Sequence, residues 1–166
     1  MIRALKGKIL LAFLLMCIWL LLTYPIDMEE VFAGAAIVLL IVIFLGKRAN
    51  TLSALKLNPK SLVCSIAYIF LFLWELLKAN FDVASRVVSP SLPINPGIVK
   101  VRTRLQSGIG RVVLANSITL TPGTLTVEIK DDFLYIHWID VTAGNIEGAT
   151  AEIVSRFESC LRGIFE

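Results

Sequence analysis

The stretch LVCSIAYIFLFLWELLKANFDVASRVV, residues 62–88, decides how the rest of the chain is read. Residues 62–73 are apolar nearly all round, as in a helix immersed in lipid. From Leu73 onward the pattern changes: Leu73, Leu76, Leu77, Phe81, Ala84 and Val88 recur at helical spacing, with Glu75, Lys78, Asp82 and Arg86 between them. One helix thus begins as a membrane segment and ends as an amphipathic one. If it spans, everything after it emerges on the side opposite the N-terminus. If it lies in the interface or enters only partway, both ends stay on one side. Twelve wholly apolar residues are too few to cross a hydrocarbon core of about 30 Å, which favours the second arrangement.

Upstream lie two more apolar runs. Residues 9–24 and 31–46 carry no charge, and each is about sixteen residues, or roughly 24 Å as a helix. Trp19 and Tyr24 sit toward the far end of the first, where amphipathic rings favour the headgroup level. Pro25 with Asp27, Glu29 and Glu30 makes a short acidic turn, and Arg3, Lys6, Lys8, Lys47 and Lys56 with Arg48 flank the pair. The reading is an antiparallel hairpin, marginal for a full span and suited to a thinned region or to packing on neighbouring proteins. The positive-inside rule puts its basic ends in the cytoplasm. No small-x-small cleavage pattern follows Tyr24, so the first run reads as a retained anchor rather than a signal peptide. The membrane region is therefore residues 1–90, with helices at about 9–24, 31–46 and 61–88, the third capped by Ser61 after a polar linker at 51–60. With 57% hydrophobic residues the chain exceeds the 45–50% or so usual in soluble domains.

Pro90, Pro93, Asn95, Pro96 and Gly97 mark a boundary. Beyond it, residues 98–105 alternate as a half-buried strand. Residues 108–120 carry Ile109, Val112, Val113, Asn116 and Leu120 at helical spacing, and Pro122–Gly123 stops the helix. Leu125, Val127 and Ile129 alternate with Thr126, Glu128 and Lys130. Asp131–Asp132 suits a hairpin turn. Residues 133–141 form the returning strand, and residues 145–165 an amphipathic helix with Ile146, Ala149, Ile153, Phe157, Leu161 and Ile164 on one stripe. The order β-α-β-β-α in residues 91–166 predicts a small α+β layer, ferredoxin-like but lacking the last strand, with both helices on one face. The fold class is thus a membrane α-helical half followed by a small α+β domain. About 75 residues bury only a modest core, so the domain is expected to dock on something.

Residue chemistry excludes more than it offers. Residues 91–166 carry seven Lys and Arg against eight Asp and Glu, so the basic excess belongs to the membrane half and argues for headgroups rather than nucleic acid. Cys17, Cys64 and Cys160 have neither metal-binding nor redox spacing. His137 is the single histidine. Ser117, His137 and Asp140 lack any nucleophile-elbow context, and no metalloprotease, phosphate-loop or dinucleotide signature appears. No catalytic, cofactor or metal site is expected. A self-sufficient ion transporter needs ionisable groups inside its membrane helices. The first two have none between their flanks; Glu75 and Lys78, one turn apart, read as an interfacial ion pair or a relay pair.

The run LANSITLTPGT at residues 114–124, followed by LTVEI and then by His137–Trp138 after an acidic turn, resembles the E subunit of multisubunit Mrp-type Na+/H+ antiporters. Related subunits occur in the antiporter-like modules of membrane-bound hydrogenases and sulfur-reducing complexes. The resemblance covers most of the chain. It implies an accessory, assembly-stabilising and non-catalytic subunit of the cell membrane, partnered by the lipid bilayer and by larger membrane subunits that handle Na+ and H+, with its small domain in the cytoplasm. A stand-alone, membrane-anchored binding module is the rival. Asn116, Ser117, Thr119, Thr121, Pro122, Gly123 and Thr124 then have two readings: a turn rich in side chains that bond backbone groups, or a docking surface for another subunit.

Overall fold

The computed structural model describes residues 2–45 and 58–166. Gly46, the pair Lys47–Arg48 and most of the linker with Lys56 lie outside the described residues. The chain divides into two compact units, Met1–Leu55 and Lys56–Glu166.

The first unit is a hairpin of α1 (Ile2–Leu22) and α2 (Met28–Leu45). The turn is tied by Trp19, whose indole N–H donates to the Glu30 carbonyl at 2.9 Å. Gly34 makes room for that ring: a Cβ there would lie 2.5 Å from Trp19 Cδ1. Trp19 therefore holds the hairpin together as well as suiting the headgroup level. Phe13, Leu21, Phe32, Leu39 and Phe44 face outward, as lipid or protein contact requires. The helices are longer than their apolar runs. The 21 residues of α1 extend to about 31 Å because the helix starts among the basic residues, and the 18 of α2 to about 27 Å. Long basic side chains accommodate this by reaching toward water. Both helices are long and apolar enough to cross a bilayer, where the apolar runs alone were marginal for a full span.

The second unit opens with α3 (Pro59–Val88). Asn58, not Ser61, caps it: the Asn58 side chain accepts from the Ser61 N–H at 2.6 Å, with Pro59 in the first turn. Ser61 is instead buried, its hydroxyl 3.4 Å from the Ile164 carbonyl. Then come β1 (Gly97–Arg102), α4 (Gly108–Leu120), β2 (Thr124–Lys130), β3 (Phe133–Trp138), α5 (Ile146–Ile153) and α6 (Ser155–Phe165). The sheet is antiparallel in the order β1-β3-β2, the ferredoxin-like arrangement without its fourth strand. The 145–165 helix is broken at Val154, where the Val154 N–H and the Ser155 hydroxyl both turn to the Thr150 carbonyl. Asp131 takes positive φ (52°) in the hairpin turn, braced by the ion pair of Arg111 with Asp132 at 2.7 Å.

Val101, Leu134 and Ile136 on one sheet face meet Leu105, Leu114, Ile118, Ala149, Phe157 and Leu161 in the core. The other face is open: Ile98 and Leu125 flank His137, and the Lys100 ammonium sits 3.9 Å from the Phe133 ring centroid. On the free edge of β1, the Arg102 N–H donates to the Thr150 hydroxyl at 2.9 Å.

α3 belongs to this unit along its whole length. Ser61 meets Ile164; Cys64 packs where Gly163 has no side chain; Tyr68 meets Phe157 edge-on and hydrogen-bonds Ser117; Glu75 pairs with Arg156; Arg86 pairs with Asp140 at 2.7 Å and donates to the Pro93 carbonyl. The inward stripe is mostly polar. Leu73, Leu77, Phe81 and Val88 point outward.

Candidate functional site

The α3 stripe and the end of α4 line a half-open cavity of about 330 Å³. It gathers residues that sequence reading placed in two separate groups: Glu75 and Lys78 from α3, and Thr121, Pro122 and Thr124 from the α4–β2 turn, with Trp138 and Arg156. Heptad spacing explains the α3 contribution. Ser61, Tyr68, Glu75 and Asp82 lie seven residues apart, nearly two helical turns, and so face the same way.

Glu75 is 8% exposed, and its partner is Arg156 of α6 rather than Lys78. Arg156 also donates to the Glu152 carbonyl, so it is held at both ends. Lys78 remains exposed at the cavity rim. The carboxylate thus locks α3 to α6 through an ion pair.

The α4–β2 turn consumes most of its own polar groups. Ser117 donates to the Val113 carbonyl at 2.7 Å and meets the Tyr68 hydroxyl. Thr121 donates to the Ser117 carbonyl at 2.8 Å, and Thr124 to the Ile118 carbonyl at 2.6 Å. Thr119 accepts from the Thr126 N–H at 3.1 Å. The Thr121 and Thr124 bonds go to carbonyls of the last turn, which a helix end leaves short of partners. Gly123 takes φ of 91°, and a Cβ there would lie 3.0 Å from Ile139 Cγ2, so the exit after Pro122 requires glycine. The Asn116 side chain is exposed and bonds nothing among the described residues.

Ser117, His137 and Asp140 are not brought together. Ser117 is buried beneath α3, His137 lies on the open sheet face, and Asp140 is committed to Arg86. Among the described residues no group of three His, Cys, Asp or Glu side chains is placed to hold a metal ion. Sequence reading missed the part that Tyr68, Arg86 and Arg156 play in binding α3 to the domain. For Tyr68 the heptad of polar residues along α3 was the available signal.

Residues 12–164 match the Na+/H+ ion antiporter subunit family, MNHE. The chain belongs to this family. The E subunit of the Na(+)/H(+) antiporter of Alkalihalophilus pseudofirmus is 44% identical over 98 residues, 58% of this chain and 61% of that protein. The corresponding antiporter protein of Bacillus subtilis is 39% identical over 105 residues, 62% of this chain and 65% of that protein. The matches therefore span under two thirds of these curated relatives. Among solved structures, a chain of the membrane-bound sulfane sulfur reductase, an archaeal respiratory membrane complex, is 43% identical with a TM-score of 0.83, covering 94% of this chain and 97% of that one. As a member of the antiporter subunit family with, among the described residues, three helices long and apolar enough to cross a bilayer, this is a membrane protein.

Proposed function

We propose that the chain is an accessory, assembly-stabilising subunit of a multisubunit cation/proton antiporter or of a membrane redox complex containing antiporter modules. It is multi-pass, its small domain faces the cytoplasm, and Na+ and H+ pass through larger partner subunits. One observation carries this reading: α1 from Ile9 onward and α2 after Glu30 expose broad apolar surfaces without a single Asp, Glu, Lys, Arg or His. Such helices pack on neighbours but cannot relay a proton or bind a bare cation. The near-complete structural match to a respiratory complex chain supports the redox setting; the relatives named for an antiporter support the free-standing antiporter.

Within that role the α4–β2 motif acts first as structure, since its hydroxyls are used internally. Asn116, with the neighbouring exposed Leu120, is left to touch another subunit. Membranes solubilised in mild detergent and purified through a tag on this chain test the proposal. It is expected to elute with larger membrane subunits; elution alone would support instead a membrane-anchored module recruiting a soluble partner through its open sheet face. Asn116→Ala should weaken that co-purification while leaving the thermal transition unchanged.

A further inference from the structure

The outward face of α3 is continuous and bulky. Leu62, Ile66, Ile69, Leu73, Leu77, Phe81 and Val88 follow at three- and four-residue intervals and, with Ala84, make an apolar strip about 40 Å long. Among the residues of α3, Asn80 is the one polar side chain on this strip, and it folds back to donate to the Leu76 carbonyl at 2.8 Å. Lys60 and Lys78, five whole turns apart, project along one edge of the strip, both exposed.

The inward face excludes a crossing. It is covered from Ser61 to Arg86 by a charged α+β domain. Passing α3 through hydrocarbon would carry Arg156, Glu158 and Arg162 of α6 in with it, and ionised side chains there are heavily penalised. A neighbouring protein helix is a poorer occupant for the outward strip than lipid. Helix contacts inside membranes favour small residues, and the apolar first half of α3 uses them where it meets α6, at Ser61 and at Cys64 over Gly163. The outward strip offers mainly large side chains, with cations on its margin where anionic headgroups would lie.

We infer that α3 is a bilayer-surface helix, lying in the membrane plane with its 62–88 strip at the acyl–headgroup boundary and Lys60 and Lys78 against lipid phosphates. The inference needs only that the chain sits in a membrane, and it stands apart from the subunit role.

Tryptophan quenching by brominated lipid tests it on the full-length chain reconstituted in phosphatidylglycerol-containing vesicles. Trp19→Phe and Trp138→Phe leave Trp74, which is exposed on the same side. With Trp74→Phe added, a single tryptophan is moved to Leu62, Ile69, Leu77, Phe81 and Val88 in turn. Every position should be quenched most by lipid brominated near the headgroup, with quenching ratios agreeing within about twofold. A ratio that passes through the deep-brominated lipid and back along the helix would mean that α3 crosses, and would overturn the inference. So would absence of quenching at all positions, which is the signature of water or of a protein partner. The difference spectrum between the otherwise unaltered chain and Trp74→Phe gives the depth of residue 74 without touching Trp138, and a deep value there overturns the inference equally.

Discussion

α2 and α3 are both rich in apolar residues, yet they are built oppositely. α2 buries only Gly34 and Val38 and is uncharged after Glu30. α3 buries Ser61 and Glu75 and exposes leucines, isoleucines and phenylalanines. In water, polar residues face out and apolar ones face in. α3 inverts this because its inner neighbour is a polar domain and its outer neighbour is apolar. Hydropathy marks both helices as candidate spans, but α3 divides into a polar inner face and an apolar outer one while α2 does not.

The sharpest way to break the comparison is a charge on each outer surface. Leu39→Arg in α2 should cost about 2.5–3.5 kcal/mol of insertion, whereas Leu77→Arg in α3, close to headgroups, should cost much less. Resistance to alkaline extraction from membranes measures both; equal losses would make the two helices equivalent. On the inner side, Glu75→Leu should destabilise the Lys56–Glu166 unit by about 1.5–3 kcal/mol by leaving Arg156 unpaired. Adding Arg156→Leu should recover part of that loss, read from urea midpoints in detergent. No described residue of α2 offers a corresponding pair. Gly123→Ala, which forces a side chain into positive φ against Ile139, should cost about 1–2 kcal/mol in the same measurement.

The smallest effect lies at Glu166. Burial acts to raise its pKa, but the N–H groups of Gln106 and Ser107, with Arg162, outweigh it and leave the carboxyl below its ordinary 4.5. A lowered folded pKa contributes stability above 4.5 that disappears as pH falls through the folded value. Glu166→Gln should remove that acid-side component and leave the pH 7 to 8 difference flat.

The small domain was legible because its elements signal locally: alternation in β1 to β3, Pro122–Gly123 after α4, and the 3.6-residue stripe of α5 and α6. Boundaries moved where a break left no local mark, as at Val154, where the Thr150 carbonyl takes both the Val154 N–H and the Ser155 hydroxyl. α3 was legible in period but not in direction. Leu73, Leu76 and Leu77 recur just as core residues do, and spacing alone carries no sign for which face turns inward. The Glu75–Arg156 pair was unreadable because 81 residues separate its members and only the fold brings them together. The hydroxyls of the α4–β2 motif were visible as residues able to bond backbone, but which carbonyl each one takes is a property of the turn.

The free edge of β1 matters before the chain meets its companions. A ferredoxin-like sheet that stops at three strands leaves a row of backbone groups able to accept a stray strand. Here the Thr150 hydroxyl already occupies the Arg102 amide, with Arg104 and Arg162 lining the groove beside it. An incoming strand must evict that hydroxyl and desolvate those guanidinium groups. A freshly synthesised copy is thereby guarded against sticking to other waiting copies, so the missing strand need not make the orphan chain a seed for aggregation.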